Sequence, residues 1–524
     1  MEKQPASIFN DVIGPVLTGP SSSHTAGPAR IGNMLRMILG TKVTSAKIIM
    51  EATGSYPATY IGQGSDRGFI GGLMGIPTNS VQLINALEIA KENGMQYTFE
   101  IEELGETHPN AALIELVGIN GATLSAMTHS TGGGMFEIVS IDGIPVRVCG
   151  DYDGFLIKVS ILADKMEIES IIPNLKRLDC AVSLYQGPGS ILYEIKTSED
   201  QVDVVEQILL SIRNIIWIRK ITAIMPIKSN NMSVPFSTAQ EAMVYCKAKD
   251  ISLTELGVVY EMHRGNITRE QVICLMLPII EIMRKSALDS VAGNTVKRNY
   301  LEPKASTIHR QMMEKELIPI GILSKVMLWA VAVMEYNNSL GVIVAAPTAG
   351  SAGVLPATII AVGEELGKTE EEIALAMITA GAVGAFIANQ ATFSAELCGC
   401  QAENGSASCM AAAGIAALLG ATVEQGFAAA SLAMQNLLGL ICDPIAGLTA
   451  IPCVNRNVIA AMNAIVSANL VMCSFNPVIP LDESIQAMWS VGKMLPTQLK
   501  CTGKGGLCLT PTGRWLNEHP DGSQ

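Results

Sequence analysis

The sequence predicts an α+β protein in three parts: an N-terminal α+β domain over residues 1–150, a βαββαβ segment over 154–226, and an all-helical domain over 236–524. Three observations predict it. Short β-branched runs mix with helical stretches in the first 150 residues, a regular strand–helix alternation follows, and beyond residue 236 the chain is Ala-, Leu- and Met-rich with very few candidate strands. At 524 residues the chain also exceeds one ordinary core, so several domains with their own interiors are expected.

Each part has its own signature. In the first, AKIIMEATG and GGMFEIVSIDG read as strands and SVQLINALEIAKENG as a helix. In the second, FLIKVSILA is a strand, MEIESIIPNLKRL a helix, CAVSLYQ and ILYEIKT a strand pair joined by the turn GPGS, DQVDVVEQILLSI a helix, and IIWIRKITAIM a strand. That order is the split βαβ, ferredoxin-like plan. The polar stretch KSNNMSVPFST then has the composition of a linker.

Composition narrows the function. A net charge of −13 with 35 basic residues and no basic block excludes a nucleic-acid surface. The N-terminus lacks an apolar run followed by a small-residue cleavage site, so a cytoplasmic protein is expected. There the twelve cysteines stay reduced, leaving buried thiols or metal ligation. Mean hydropathy is +0.34, and residues 373–395 and 457–481 carry no charged side chain. Their Asn, Gln, Ser, Thr and Pro content, and the lack of aromatic belts, favour buried helices over membrane spans.

Three segments rich in glycine or hydroxyls could approach a carboxylate or phosphate: GPSSSHTAGPARIG at 19–32, HSTGGGMFEI at 129–138 and APTAGSAGVLP at 346–356. Each also suits an ordinary turn or cap, and none is a nucleotide fingerprint. His24 and His108 sit in settings fit for a polar ligand.

Cys149, Cys180, Cys246, Cys274 and Cys473 stand singly and read as buried small hydrophobes. Cys398, Cys400 and Cys409 in LCGCQAENGSASCMAAAG, and Cys442 and Cys453 in LICDPIAGLTAIPCVNRN, lie among turn residues as soft-metal ligands do. There is no CxxC pair, so spacing leaves a metal cluster and buried thiols both open.

Taken together, IFNDVIGPVLTGPSSSHTAGPARIG at 8–32 and PTAGSAGVLP, CQAENGSAS, CDPIAGL, IPCVNRN and MLPTQLKCTGKGGLCLTPTGRWL in the C-terminal half resemble the iron–sulfur L-serine dehydratases. The first stretch is similar to that family's β-chain and residues 236–524 to its α-chain, fused here in the order β then α. The resemblance implies an amino-acid-degrading lyase that makes pyruvate and ammonia from L-serine, with pyruvate open to gluconeogenesis, and that works as a cytoplasmic homodimer without nucleic acid or membrane. It implies a 4Fe–4S cluster on Cys400, Cys442 and Cys453, with one iron lacking a thiolate and acting as a Lewis acid. Cys398 and Cys409 then become neighbours without a ligand role. It assigns Ser21, Ser22, Ser23, His24 and Thr25, with Thr348, Gly350, Ser351 and Gly353, to substrate, and residues 154–226 to an ACT-like domain. The general base is unassigned. The site is expected between the two halves, since neither holds a complete set of parts.

The chain departs from the family at Gly62-Gln63-Gly64-Ser65-Asp66, where relatives carry GHGTD, so a histidine contact is lost or replaced. Some single-chain relatives end in a cysteine that caps the fourth iron. Here Cys501 or Cys508 would need a different geometry for that part. The rival readings are a pyridoxal-phosphate dehydratase using Gly132, Gly133 and Gly134, for which no lysine has a convincing setting, and an amino-acid sensor or transporter.

Overall fold

The computed structural model describes residues 4–160, 165–210, 215–229 and 233–522. The end expected of the strand FLIKVSILA, the end of the helix DQVDVVEQILLSI and the Asn-rich middle of the linker fall outside the described residues. The architecture is mixed α and β.

Six strands form the N-terminal sheet in the order Gln96–Glu102, Val43–Glu51, Ala111–Gly118, Thr123–Gly132, Met135–Ile141 and Ile144–Val148. The first pair is parallel and the rest antiparallel. Along Thr123–Gly132 burial alternates residue by residue, as a sheet with one covered face requires. The covering helix is Gly27–Leu39, whose Ile31, Leu35 and Ile38 share a core with Ile48, Ile114 and Ala126. It crosses the helix Ser65–Leu73 so closely that a side chain at Gly72 would strike the Ala29 carbonyl. This packing places residues 21–26 at the helix's leading end.

The second sheet runs Ile215–Ile221, Asp153–Ser160, Ser190–Thr197, Ala181–Gln186, antiparallel throughout. Two βαβ crossovers that each skip one strand produce this order. Leu175, Val205 and Leu209 from the two crossover helices cover Phe155, Ile157 and Tyr193. Arg219 docks the sheet by donating from Nε to the Ile38 and Leu39 carbonyls at 2.8 and 3.1 Å, at the end of the covering helix.

Beyond residue 236 the helices Arg269–Val291, Glu370–Gln390 and Val423–Gln435 each begin with a reciprocal capping box: Thr268 with Gln271, Thr369 with Glu372, Thr422 with Gln425. The Ala-rich helix Ser406–Leu418 is buried along its whole length. Among the described residues one helix, Glu370–Gln390, is long and apolar enough to cross a membrane, and 83% of that window is buried inside the protein. The other uncharged run does not form one span. Its helix Cys453–Met472 ends at Met472, and a separate helix begins at Leu481.

Two findings correct the expectation of an all-helical C-terminal part. Val342–Val344 is a strand, paired antiparallel with Val16–Thr18 of the N-terminal part through Val16↔Val344 and Thr18↔Val342. Residues 6–13 also pack within the helical core, where Ile8 and Val12 fill the space over Gly381 and Gly384. Buried Glu261 receives Ser7 Oγ at 2.5 Å and the Ile8 amide at 2.8 Å. An apolar tail finds its partner where glycines leave room, and chain order has no say in that. Cys274 and Cys473, expected to be buried, are exposed, and Cys149 is half-buried.

Candidate active site

Three cysteines meet where segments of the helical half converge. Cys400 precedes the turn Gln401–Gly405, Cys442 bridges by its backbone to the strand-like Lys500, and Cys453 opens the helix Cys453–Met472. Gly399 makes the approach possible at φ +73°, where an added Cβ would also strike the Leu440 carbonyl at 2.7 Å. The donor atoms of Cys400, Cys442 and Glu403 lie within 4.8 Å of one another, and the Cys453 thiol hydrogen-bonds to the Cys400 sulfur.

All three thiols are buried. Hydrogen bonds from Cys442 and Cys453, with Arg456 beside them, hold Cys400 well below the ordinary thiol value. The same contacts push Cys442 and Cys453 well above theirs. Cys400 is therefore the most acidic of the three thiols. Arg456 Nη1 stands 3.4 Å from it and also donates to the Ile441 carbonyl at 2.7 Å, while Nη2 pairs with buried Asp443 at 2.8 Å. Burial, followed by the Cys400 charge, raises the Glu403 carboxyl well above the usual range.

The loop 348–353 lies over this centre. Thr348 Oγ1 donates to Glu403 Oε1 at 2.6 Å, and a side chain at Gly350 would sit 2.8 Å from the same oxygen. Ser351 turns back to the Ala346 carbonyl at 3.1 Å, and the Gly353 amide donates to Asn457 Oδ1 at 3.0 Å. Asn457 Nδ2 donates to the carbonyls of Gly350 and Cys453 at 2.7 and 2.8 Å, so one amide ties the loop to a cysteine.

The N-terminal half meets the same loop. The Ala349 amide donates to Ser22 Oγ at 3.2 Å, and Asn337 Nδ2 donates to the carbonyls of Ala349 and Pro20. Buried His24 places Nδ1 3.2 Å from Ser23 Oγ and 3.5 Å from both Ser21 Oγ and Glu396 Oε1, and Nε2 3.3 Å from Ser55 Oγ. Burial holds His24 below its ordinary value against the pull of Glu396. Burial would raise Glu396, yet His24 and the hydroxyls of Ser394 and Ser23 bring it below its ordinary value. Ser55 also reaches the Cys501 carbonyl at 3.4 Å, and the Cys501 amide donates to the Cys442 carbonyl at 2.9 Å, which joins the imidazole to the thiols.

Of the residues expected to meet substrate, Thr348 and Gly350 lie against Glu403 beside Cys400, Ser22 reaches their loop at Ala349, and Ser351 and Gly353 brace that loop. Thr25 turns to the Gln63 carbonyl at 2.6 Å, so the position of the absent histidine contributes backbone there. His108, pushed down to about 4 by burial and then by His129, stacks on the His129 ring and faces a cleft of about 640 Å³ with Gly132 and Phe393. Cys398 points at Gly492 and Cys508 at the Pro444 carbonyl, whereas Cys501 lies against Cys442. Sequence reasoning missed Glu396, Glu403, Ser55, Arg456 and Asn457. Glu403, Arg456 and Asn457 stand inside the cysteine motifs, and Glu396 directly follows the uncharged run 373–395, so those four carried a signal. Ser55 carried none.

Comparison with known proteins identifies the family. The family profile "Serine dehydratase alpha chain" matches residues 199–508 and "Serine dehydratase beta chain" matches residues 10–96. A "Probable L-serine dehydratase, alpha chain" of Bacillus subtilis is 38% identical over 283 residues, covering 54% of this chain and 94% of the relative. The "L-serine dehydratase, alpha chain" of Peptoniphilus asaccharolyticus is 37% identical over 279 residues, 53% of this chain and 96% of its own length. An "L-serine dehydratase" of Helicobacter pylori is 26% identical over 513 residues, covering 94% of this chain and 96% of the relative. With α-chain and β-chain regions matched in one polypeptide, over residues that build one continuous site, this chain belongs to the serine dehydratase family.

Proposed function

We propose that this chain converts L-serine to pyruvate and ammonia at a 4Fe–4S cluster held by Cys400, Cys442 and Cys453. The convergence of three buried thiols beside the hydroxyls and imidazole of the other half carries this reading. The donor set fits the group: three buried sulfurs converge, and thiolates suit iron–sulfur clusters. When bound, such a cluster supplies a Lewis acid for the leaving hydroxide.

The chain's own groups supply the rest. Ser22, Thr348 and the backbone around Gly350 offer a polar cradle for the substrate carboxylate and hydroxyl. His24, kept uncharged at neutral pH by burial, accepts the α-proton at Nε2, and elimination leaves aminoacrylate, whose imine tautomer hydrolyses unaided. Among the described residues, none of the groups gathered here comes from 154–226, which supports an ACT-like structural or regulatory role for that sheet. A homodimer belongs to the same reading, supported by exposed Ile459, Val466 and Leu470 along one helix face with Phe475 and Val478 beyond it. A cytoplasmic location is part of the same proposal.

The test is anaerobic reconstitution with iron and sulfide, followed by assay on serine, threonine and cysteine. A broad brown absorbance bleached by air, with pyruvate formed from serine, is expected. A sharp yellow aldimine band, or no pyruvate from a fully loaded protein, sinks the proposal.

A further inference from the structure

We infer that Glu396, acting through Ser23, is the positioning residue that sets the orientation and tautomer of His24, so the helical half controls the imidazole of the N-terminal half. The inference rests on His24 lying in the site proposed above. The contacts form a chain. Ser23 Oγ lies 3.2 Å from His24 Nδ1 and donates to Glu396 Oε1 at 3.0 Å, and that carboxylate oxygen is itself 3.5 Å from Nδ1. Glu396 Oε2 is fastened by Ser394 Oγ at 2.6 Å. With the Ser23 proton given to Glu396, Ser23 Oγ is free to accept only from Nδ1–H. The hydrogen therefore belongs on Nδ1, and the lone pair on Nε2, 3.3 Å from Ser55 Oγ, whose single proton turns to it in place of the longer 3.4 Å contact with the Cys501 carbonyl.

The carboxylate earns no other role from its surroundings. It is buried with an exposure of 6%, and its two oxygens are used on Ser23, Ser394 and His24. A buried charge of this kind persists only where paired and hydrogen-bonded. His24 and Tyr56 stand nearly perpendicular, with ring centroids 5.4 Å apart, which restricts rotation of the imidazole. The other ionisable groups facing the pair are His108, Tyr56 and Glu403, each of which feels the Glu396 charge. Glu396 stands in the short helix Ala395–Cys398, which follows the helix Glu370–Gln390, three hundred and more residues from His24, so its contact forms only when the halves dock.

The test uses the full chain, loaded anaerobically. Glu396→Gln keeps the shape and removes the charge. It should retain iron and the brown absorbance, keep KM within about threefold and lower kcat by about 100-fold, the usual loss for a partner that orients a functional imidazole. The acid limb of the kcat/KM profile should move about one unit to lower pH, because a nearby carboxylate favours the imidazolium and its loss makes His24 harder to protonate. In a His24→Ala background, Glu396→Gln should cost nothing further, since a residue that acts through another has no effect once that other is gone. An unmoved acid limb, or full additivity with His24→Ala, overturns the inference. Should Glu396→Gln shed its iron, Glu396→Asp carries the test: with the charge retained, the limb should stay at the wild-type pH while kcat falls, and a shifted limb overturns the inference. A loaded wild-type protein that makes no pyruvate overturns the underlying reading instead, so the two failures are told apart.

Discussion

The thiol centre and the imidazole centre lie side by side but are assembled differently. Cys400, Cys442 and Cys453 all come from the helical half and are braced by Arg456, Asp443 and Asn457 of that half. The surroundings of His24 draw Ser21, Ser23 and Ser55 from one half and Glu396 from the other. Holding a metal group is thus within the means of a single half, whereas orienting an imidazole against it depends on docking.

The largest expected effect bears on the first centre. Replacing Cys400, Cys442 or Cys453 by Ala should abolish both bound iron and pyruvate formation, while Cys398→Ala and Cys409→Ala keep most of the iron. Iron content by colorimetric assay decides it, and full iron in Cys442→Ala would falsify the ligand set. Next in size is the response to air. Exposure should inactivate the loaded enzyme, and saturating serine should slow that loss by occupying the same site. Activity that survives days in air after chelation of free iron contradicts the comparison at its root.

A narrower probe addresses the loop between the centres. Gly350→Ala adds a methyl 2.8 Å from Glu403 Oε1, and either Glu403 or the loop must give way. Turnover should fall by about 100-fold with iron retained, because small displacements of positioning groups are costly. Unchanged kcat would show that the loop takes no part in positioning.

The smallest effect concerns residues 6–13, which belong to one half by chain order and to the other by packing. Burial raises the Glu261 carboxyl that holds them to about 7 from an ordinary 4.5. A raised acid contributes stability that is complete below pH 4.5 and is lost as the pH rises to about 7, a swing of about 3 kcal/mol. Glu261→Gln should flatten the stability profile across that window, measured by urea unfolding between pH 5 and 8. An equally steep profile in the variant would place the tail's anchorage elsewhere.

Local pattern explains what was legible. Period-two alternation and turn chemistry marked the strands of 153–221, and Ala-rich apolar runs marked the buried helices, because both signals are carried by neighbours in the chain. The cysteine motifs declared a candidate centre for the same reason: Cys400, Cys442 and Cys453 each sit beside the Gly or Pro that bends them. Spacing could not say which thiols converge. That Cys398 turns to Gly492 while Cys501 comes against Cys442 depends on how the helix Leu481–Met494 packs on the short helix Ala395–Cys398 and on the backbone bridge between Cys442 and Lys500.

The sequence by itself determined the mixed α and β architecture, the family and the residues able to offer thiolate, hydroxyl and imidazole. Only the tertiary structure decided that Val16–Thr18 would pair with Val342–Val344, that Ile8 and Val12 would fill the space above Gly381 and Gly384, and that Glu396 would reach His24. The physical reason is common to all three. A strand edge, a glycine-lined hollow and a buried charge are each satisfied by whichever partner is complementary in shape, hydrogen bonding or charge, and complementarity between distant segments leaves no trace in the order of residues along the chain.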